Sequence, residues 1–435
     1  MTGKSLFQTI LLILFGVALV VAVLIFAGIL PGFKTQKVGQ AGELVVWGSF
    51  STNSFVQMMN NGLKQDHEQE FSVKYFDKGI DLESTLINAL ASGQGPDVII
   101  APHELILKHR DKFISLPFAS LPLRSYQETF IDQSALFVKP DGIIALPLAV
   151  DPLLLYYNKD LYNNANLIKA PTNWEEFVKI QPILTKVGEL NRLEKSAFAL
   201  GTFGNNNKAK DIMSLLILQA GGSPVSSNNG QVAVTLDDDF GFTLRPAEAA
   251  LSFFLQFADP DKSTYCWNRS LPEAQDSFLG ENLVNYFGFA SEAPYLREKN
   301  PHLNFDLSLV PQMADKNRMT FGRLYGVAIL KTSKKLSAAW PMVFTLTGEK
   351  YSQLSASILN FAPVRRALLV PDPAQPDQKI IFDSALISRG WFDFAPAETK
   401  NVFQMMNENA ATSRLSPQEA VIEADKELVK LFNQS

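Results

Sequence analysis

"ASGQGPDVIIAPHE" (residues 91–104) decides the fold, because its two glycines can be read in two ways. A loop that cradles a phosphate follows a strand and opens a helix, or carries G-x-x-x-x-G-K-[ST]. Here the order is reversed. The preceding "DLESTLINALASG" places Leu82, Leu86 and Ala89 on one helical face and ends at Gly93, a helix C-cap. "DVIIA" (97–101) follows as a short, fully apolar strand of the kind found inside parallel sheets. No lysine follows Gly95, and the helix would turn its negative end toward a phosphate. The glycines punctuate a helix-to-strand turn, and a nucleotide site is excluded.

The alternation continues outward. "ELVVW" (43–47) is a strand, "TNSFVQMMNNGLKQDHEQE" sets Phe55, Met59 and Leu63 four apart, and "FSVKYF" (71–76) alternates as a half-buried strand. Strand, helix, strand, helix, strand with short connections predicts an α/β domain with a mostly parallel sheet. In such sheets ligands bind beyond the carboxyl ends of the strands. "SFS" (49–51) and "APHE" (101–104) fall on that rim. The alternative for His103 and Glu104 is that they cap the helix "ELILKHRDKF".

A chain of 435 residues is too long for one core, so two domains are expected. "GIIALPLAVDPLLLYYNKDLYNNA" (142–165), long, apolar and broken by Pro147 and Pro152, has the character of a crossing between them. "APTNWEEF" offers Thr172 and Glu175 as a capping box for the next helix. A second α/β set follows, with helices at "AKDIMSLLILQAGG" (209–222), "PAEAALSFFLQFAD" and "EAPYLREKN" and a strand at "LVNYFGF" (283–289). "FDLSLVPQ" (305–312) with "YGVAILK" (325–331), and then "NFAPVRRALL" (360–369), read as a second and a third crossing. The final helix "SPQEAVIEADKELVKLF" has Ser416 as N-cap, Pro417 at its first position and Glu419 as capping-box partner.

Residues 10–30 carry no charge over 21 positions, enough to cross about 30 Å of hydrocarbon and longer than a cleavable signal core. We expect an uncleaved anchor over 5–30, a cleaved signal being the alternative. A Pro-, Gly- and Lys-bearing tether would follow over 31–42, with the rest of the chain on the extracytoplasmic side. The net charge of −5 gives no reason to seek nucleic acid, and the single Cys266 rules out an internal disulfide. Four scattered histidines form no zinc pattern, no G-x-S-x-G elbow or S-x-x-K pair occurs, and "LDDDF" lacks the spacing of a calcium loop. Neither a metal nor a cofactor is expected, and no enzyme signature is present.

The segments "LVVWGSF", "LASGQGPDVIIAPHE", "GIIALPLAVDPLLLYYNKDLYNN", "PTNWEEF", "LLILQAGGSPV", "APVRRALL" and "LSPQEAVIEADKELVKL" together resemble the extracellular solute-binding proteins of ABC importers. The likeness is to their maltose- and oligosaccharide-binding branch, and it runs from about Glu43 to the C-terminus. It implies a two-lobed periplasmic-binding-protein-like α/β fold joined by a multi-strand hinge. Lobe 1 would be 43–150 plus 311–361, and lobe 2 would be 151–310 plus 362–435. The resemblance also implies a saccharide ligand, a permease partner, a monomeric receptor and no catalysis. The ligand-contacting rims it implies fall on Ser49, Phe50, Ser51, Ala101, His103, Glu104 and Asp151. Where the maltose binders carry Trp and Arg, this chain has Ala101 and Leu105, which argues against maltose itself.

Sugars present hydroxyls to acidic and amide groups and apolar faces to rings. Asp211 and Glu292 are therefore further candidates, with Phe203, Phe289 and Tyr325 at element ends near the expected cleft. Two other functions fit the same fold. A tethered hydrolase would release product during binding assays, and a ligand sensor would have no permease.

Overall fold

The computed structural model describes residues 43–63, 72–189, 192–228, 231–314, 316–434. The expected anchor (5–30) and tether (31–42) lie outside the described residues, as do the last residues of "TNSFVQMMNNGLKQDHEQE". Among the described residues no helix is long and apolar enough to cross a membrane.

Eleven strands form the main sheet: β1 (Leu44–Gly48), β2 (Val73–Asp77), β3 (Val98–Pro102), β4 (Leu146–Asn158), β5 (Lys186–Val187), β6 (Leu193–Phe198), β7 (Leu283–Phe289), β8 (Phe305–Ser308), β9 (Thr320–Ile329), β10 (Ala362–Pro363) and β11 (Ser388–Arg389). The order is β2-β1-β3-β9-β4-β7-β6-β5, with β8 and β10 also on β4 and β11 on β9. β1 pairs in parallel with both β2 and β3, as the apolar run at 97–101 demands.

The long strand β4 changes partners along its length. The first half of β4 pairs with β9 (Pro152 opposite Gly322) and β10 (Val150 opposite Ala362). The second half pairs with β7 (Leu153 opposite Phe289) and β8 (Asn158 opposite Phe305). The two prolines explain themselves here. Pro147 stands opposite the register shift between Tyr325 and Gly326, and Pro152 stands where one set of partners ends. A residue without an N–H is tolerated at both places. Twelve of the thirteen β4 residues are buried, so both sheet faces are covered and the strand is apolar throughout.

Helix ends follow the local chemistry, with one correction. Ser416 and Glu419 bond reciprocally at the last helix, as the capping-box pattern predicts. At "APTNWEEF" the cap sits one residue later than Thr172 and Glu175. Asn173 Oδ1 accepts from Glu176 N at 2.8 Å, and the Glu176 carboxylate returns to Thr172 N. Asn serves as well as Thr at an N-cap, and here it is the residue whose extended backbone precedes Trp174. Trp174 is then buried and donates to Gln219, whose amide in turn holds Pro311 O and Met319 O. That buried amide ties the helix 209–220 to the segment between β8 and β9. Cys266 is buried with its thiol pushed up to about 12 by burial, so it is inert packing.

Candidate functional site

The carboxyl ends of β1 and β3 meet β9 and the middle of β4, where residues from both halves of the chain converge. Phe50, just beyond β1, packs on Tyr325 (ring centroids 5.0 Å apart) and Phe361 (5.9 Å). Tyr325 and Phe361 stack at 5.0 Å, and Tyr325 stays only half-buried. Tyr75 fixes this end of β1 by donating to Phe50 O at 2.8 Å. The Ser49 hydroxyl is buried without a hydrogen-bond partner. Ser51 acts locally instead, for its Oγ accepts from Ser54 N and caps the helix that starts at Thr52.

After β3 the chain enters the short helix His103–Lys108, whose N-cap is Pro102 and which has no side-chain cap. Capping is therefore not what His103 and Glu104 do. His103 is buried and its Nδ1 accepts from Leu324 N at 3.3 Å, which assigns its proton to Nε2. Burial pushes its pKa down, so the ring is neutral at pH 7. Nδ1 also lies 3.1 Å from Glu104 Oε2, but an accepting nitrogen cannot serve that oxygen. Glu104 Oε2 is thus a buried acceptor with no donor. Its other oxygen lies 3.9 Å from Arg323 Nε. Burial works to raise the Glu104 carboxyl, while the charges of Arg323 and Lys210 pull it down.

Arg323, on β9 directly opposite Asp151 of β4, is the centre of the arrangement. Its guanidinium covers the Phe289 ring at 4.5 Å. Burial alone would lower its pKa, but Asp211 and Glu104 raise it further than burial lowers it, so it stays charged. Asp211, in the first turn of the helix 209–220, is 8% exposed. Among the described residues it makes no hydrogen bond and no ion pair within 4 Å; Arg323, Lys210 and Lys208 act on it only at longer range. Burial raises its carboxyl despite them.

Other candidates are already engaged. Asp151, 2% exposed, accepts from Ser291 N (3.0 Å) and Ser291 Oγ (2.6 Å), and burial pushes it up to about 7. Glu292 accepts from Phe289 N, Tyr286 OH and Gln275 Nε2 at 2.6–2.7 Å and pairs with Lys208 at 3.0 Å. Ala101 is sealed inside the sheet opposite Gly326, so its methyl group reaches no solvent. Phe203 is 5% exposed with its ring edge-on to Phe254: core packing rather than a cleft wall, in spite of the Gly- and Asn-rich loop around it. The structure thus brings Ser49, Phe50, Glu104, Asp151, Asp211, Phe289 and Tyr325 to one region.

It adds groups that pattern reading passed over: Arg323, Phe361, Ser291, Lys208, and Lys210 paired to Asp393 beneath Trp391. Only Arg323 left a trace in the sequence, as a charge inside the apolar run "RLYGVAIL".

This two-lobed α/β architecture is that of the periplasmic-binding-protein-like fold. Residues 64–352 match the family described as bacterial extracellular solute-binding protein, and the chain belongs to that family. A binding protein of Brucella abortus is 22% identical over 248 residues, covering 55% of this chain and 54% of its own. The chain therefore spans about half the length of the curated relatives it matches.

Solved structures share the fold. The cyclic α-maltosyl-1,6-maltose binding protein from Arthrobacter globiformis superposes with TM-score 0.73 at 15% identity, covering 91% of this chain and 100% of that one. A Streptomyces glaucescens receptor solved unliganded and with acarbose gives 0.68 at 16%, covering 90% and 98%. An ABC transporter solute binding protein from Thermotoga lettingae bound with α-D-tagatose gives 0.67 at 16%, covering 89% and 99%.

Proposed function

We propose that the chain is the receptor of an ABC importer and captures a saccharide between its lobes, 43–150 with 311–361 and 151–310 with 362–435. One observation carries the reading. Among the described residues, Glu104 Oε2 and Ser49 Oγ are buried without a hydrogen-bond partner and the largely buried Asp211 makes no hydrogen bond, in the region that also holds the rings of Phe50, Tyr325 and Phe361. A saccharide supplies hydroxyl donors for the first set and C–H faces for the second. The structural neighbours with maltose-type sugars, acarbose and tagatose support the same ligand class. The charge-free run 10–30 and the tether 31–42 would hold the receptor, a monomer, to the outer face of the membrane beside its permease. Binding without turnover fits the absence of any catalytic pattern in the sequence, so the protein is not proposed as an enzyme.

The test is a panel of oligosaccharides followed by melting and by solution scattering. A true ligand at about 100 times its Kd adds about 2.7 kcal/mol of stability, and closure of the lobes shrinks the radius of gyration. A panel of gluco-, manno- and cyclic oligosaccharides that moves neither quantity overturns the reading.

A further inference from the structure

The balance of charge around Arg323 goes beyond the need for hydroxyl donors. The cations of the cluster are Arg323, Lys208 and Lys210. The acids are Glu104, Asp151, Asp211, Glu292 and Asp393. Lys208 is engaged with Glu292 and Lys210 with Asp393, while His103 is neutral. Three carboxylates then surround one guanidinium. Of these, Asp151 is satisfied by Ser291. Asp211 has neither a hydrogen bond nor a close ion pair, although nine-tenths of its surface is buried, and Glu104 Oε2 has no donor. Arg323 cannot serve both: it lies 3.9 Å from Glu104 Oε1 with its plane on Phe289. A buried carboxylate that lacks a hydrogen-bond donor and shares its counter-charge with other acids is costly, and the cost is relieved by a donor that also brings positive charge.

We infer that the cleft is built for a saccharide carrying a basic nitrogen, with Asp211 and Glu104 as the groups that receive its ammonium. The inference rests on the saccharide reading above and narrows it. Arg323 has a positioning role: it lies 3.9 Å from Glu104 Oε1 and its charge favours the ionised form of both acids. The same arrangement rejects uronic acids, whose carboxylate would face Glu104 and Asp211.

The experiment uses the purified full-length chain and three probes in calorimetry at pH 7 and low salt: a glucosamine tetrasaccharide, its N-acetylated counterpart and maltotetraose. The N-acetylated form has the same backbone and linkages but no charge, so it isolates the amine. The expected result is binding of the glucosamine oligomer at least tenfold tighter than the N-acetylated form. The advantage should shrink severalfold when salt rises from 20 to 500 mM, and shrink again in Asp211→Asn. Glu104→Gln provides a second variant, read by the same ratio, should Asp211→Asn fail to fold. Equal or preferred binding of the N-acetylated form overturns the inference and leaves the saccharide reading standing. Failure of the glucosamine oligomer while maltotetraose binds has the same meaning. If none of the three binds, and the wider panel is also silent, both readings fall.

Discussion

Two acidic positions look alike in the sequence and differ in the fold. Glu292 and Glu104 each follow a buried strand and each open a short helical segment. Glu292 receives three hydrogen bonds and a lysine, all from residues between Lys208 and Phe289. Among the described residues, Glu104 has an oxygen with no donor, and the largely buried Asp211 makes no hydrogen bond. The first carboxylate holds the fold together; the second pair is the one we propose the ligand meets. The lesson is that a carboxylate on the right rim becomes a ligand group only once its donors have been counted.

The contrast can be broken at several points. The largest effect is expected for Glu292→Ala. It strands Lys208 and the Tyr286 hydroxyl in a largely buried site, and should lower stability by about 3–5 kcal/mol in urea unfolding. A loss under about 1 kcal/mol, the range of an exposed pair, would mean that Glu292 is as unengaged as Glu104.

Asp151 sharpens the comparison through pH. Its folded pKa of about 7 lies above the ordinary aspartate value of 3.8. The folded state therefore keeps a proton that the unfolded chain releases, and the stability this contributes is full below about pH 4 and lost as pH rises through 7. About three units correspond to at most ~4 kcal/mol. Asp151→Asn cannot release that proton, so wild type should lose stability against the variant between pH 4.5 and 7.5. Parallel pH profiles for the two proteins would show that Ser291 keeps Asp151 ionised throughout.

The smallest effect is on the other side of the contrast. Glu104→Gln keeps the shape of the side chain and removes an Oε2 acceptor that no described group uses, at the cost of a charge 3.9 Å from Arg323, so the ligand-free melting temperature should fall by only a few degrees. Affinity for the ligand found by the panel should fall about tenfold, equivalent to ~1.4 kcal/mol. A larger fall in melting temperature with intact affinity would move Glu104 into the company of Glu292.

Much of the frame is legible in the sequence because it rests on periodicity. The helix-to-strand order around Gly93 and Gly95, the apolar β3 and the proline-marked β4 all express local rules about turns, burial and missing N–H groups. Even the cap at Asn173 departs from the expected Thr172 by a single residue, since Thr and Asn compete for the same N-cap role. The larger departures are of another kind. Phe203 stands in a loop of glycine and asparagine, yet Phe254, some fifty residues later, covers it. Ala101 ends an apolar run at the rim, yet it pairs with Gly326 of a strand more than two hundred residues away and is fully buried. No window of sequence contains both members of such pairs.

What the sequence alone determined is therefore the α/β class with its two-lobed plan and the kind of element along the stretches whose period is clear. These follow from side-chain periods and turn chemistry that act over a few residues. What the tertiary structure decided is which polar groups on the rim of the sheet are already satisfied. Arg323 came to stand opposite Asp151 and beside Glu104, and Ser291 took the Asp151 acceptors, because β4 changes partners in its middle and brings β7 and β9 to either end of one strand. A hydrogen bond is a relation between two places in space, and the chain fixes those places only by folding.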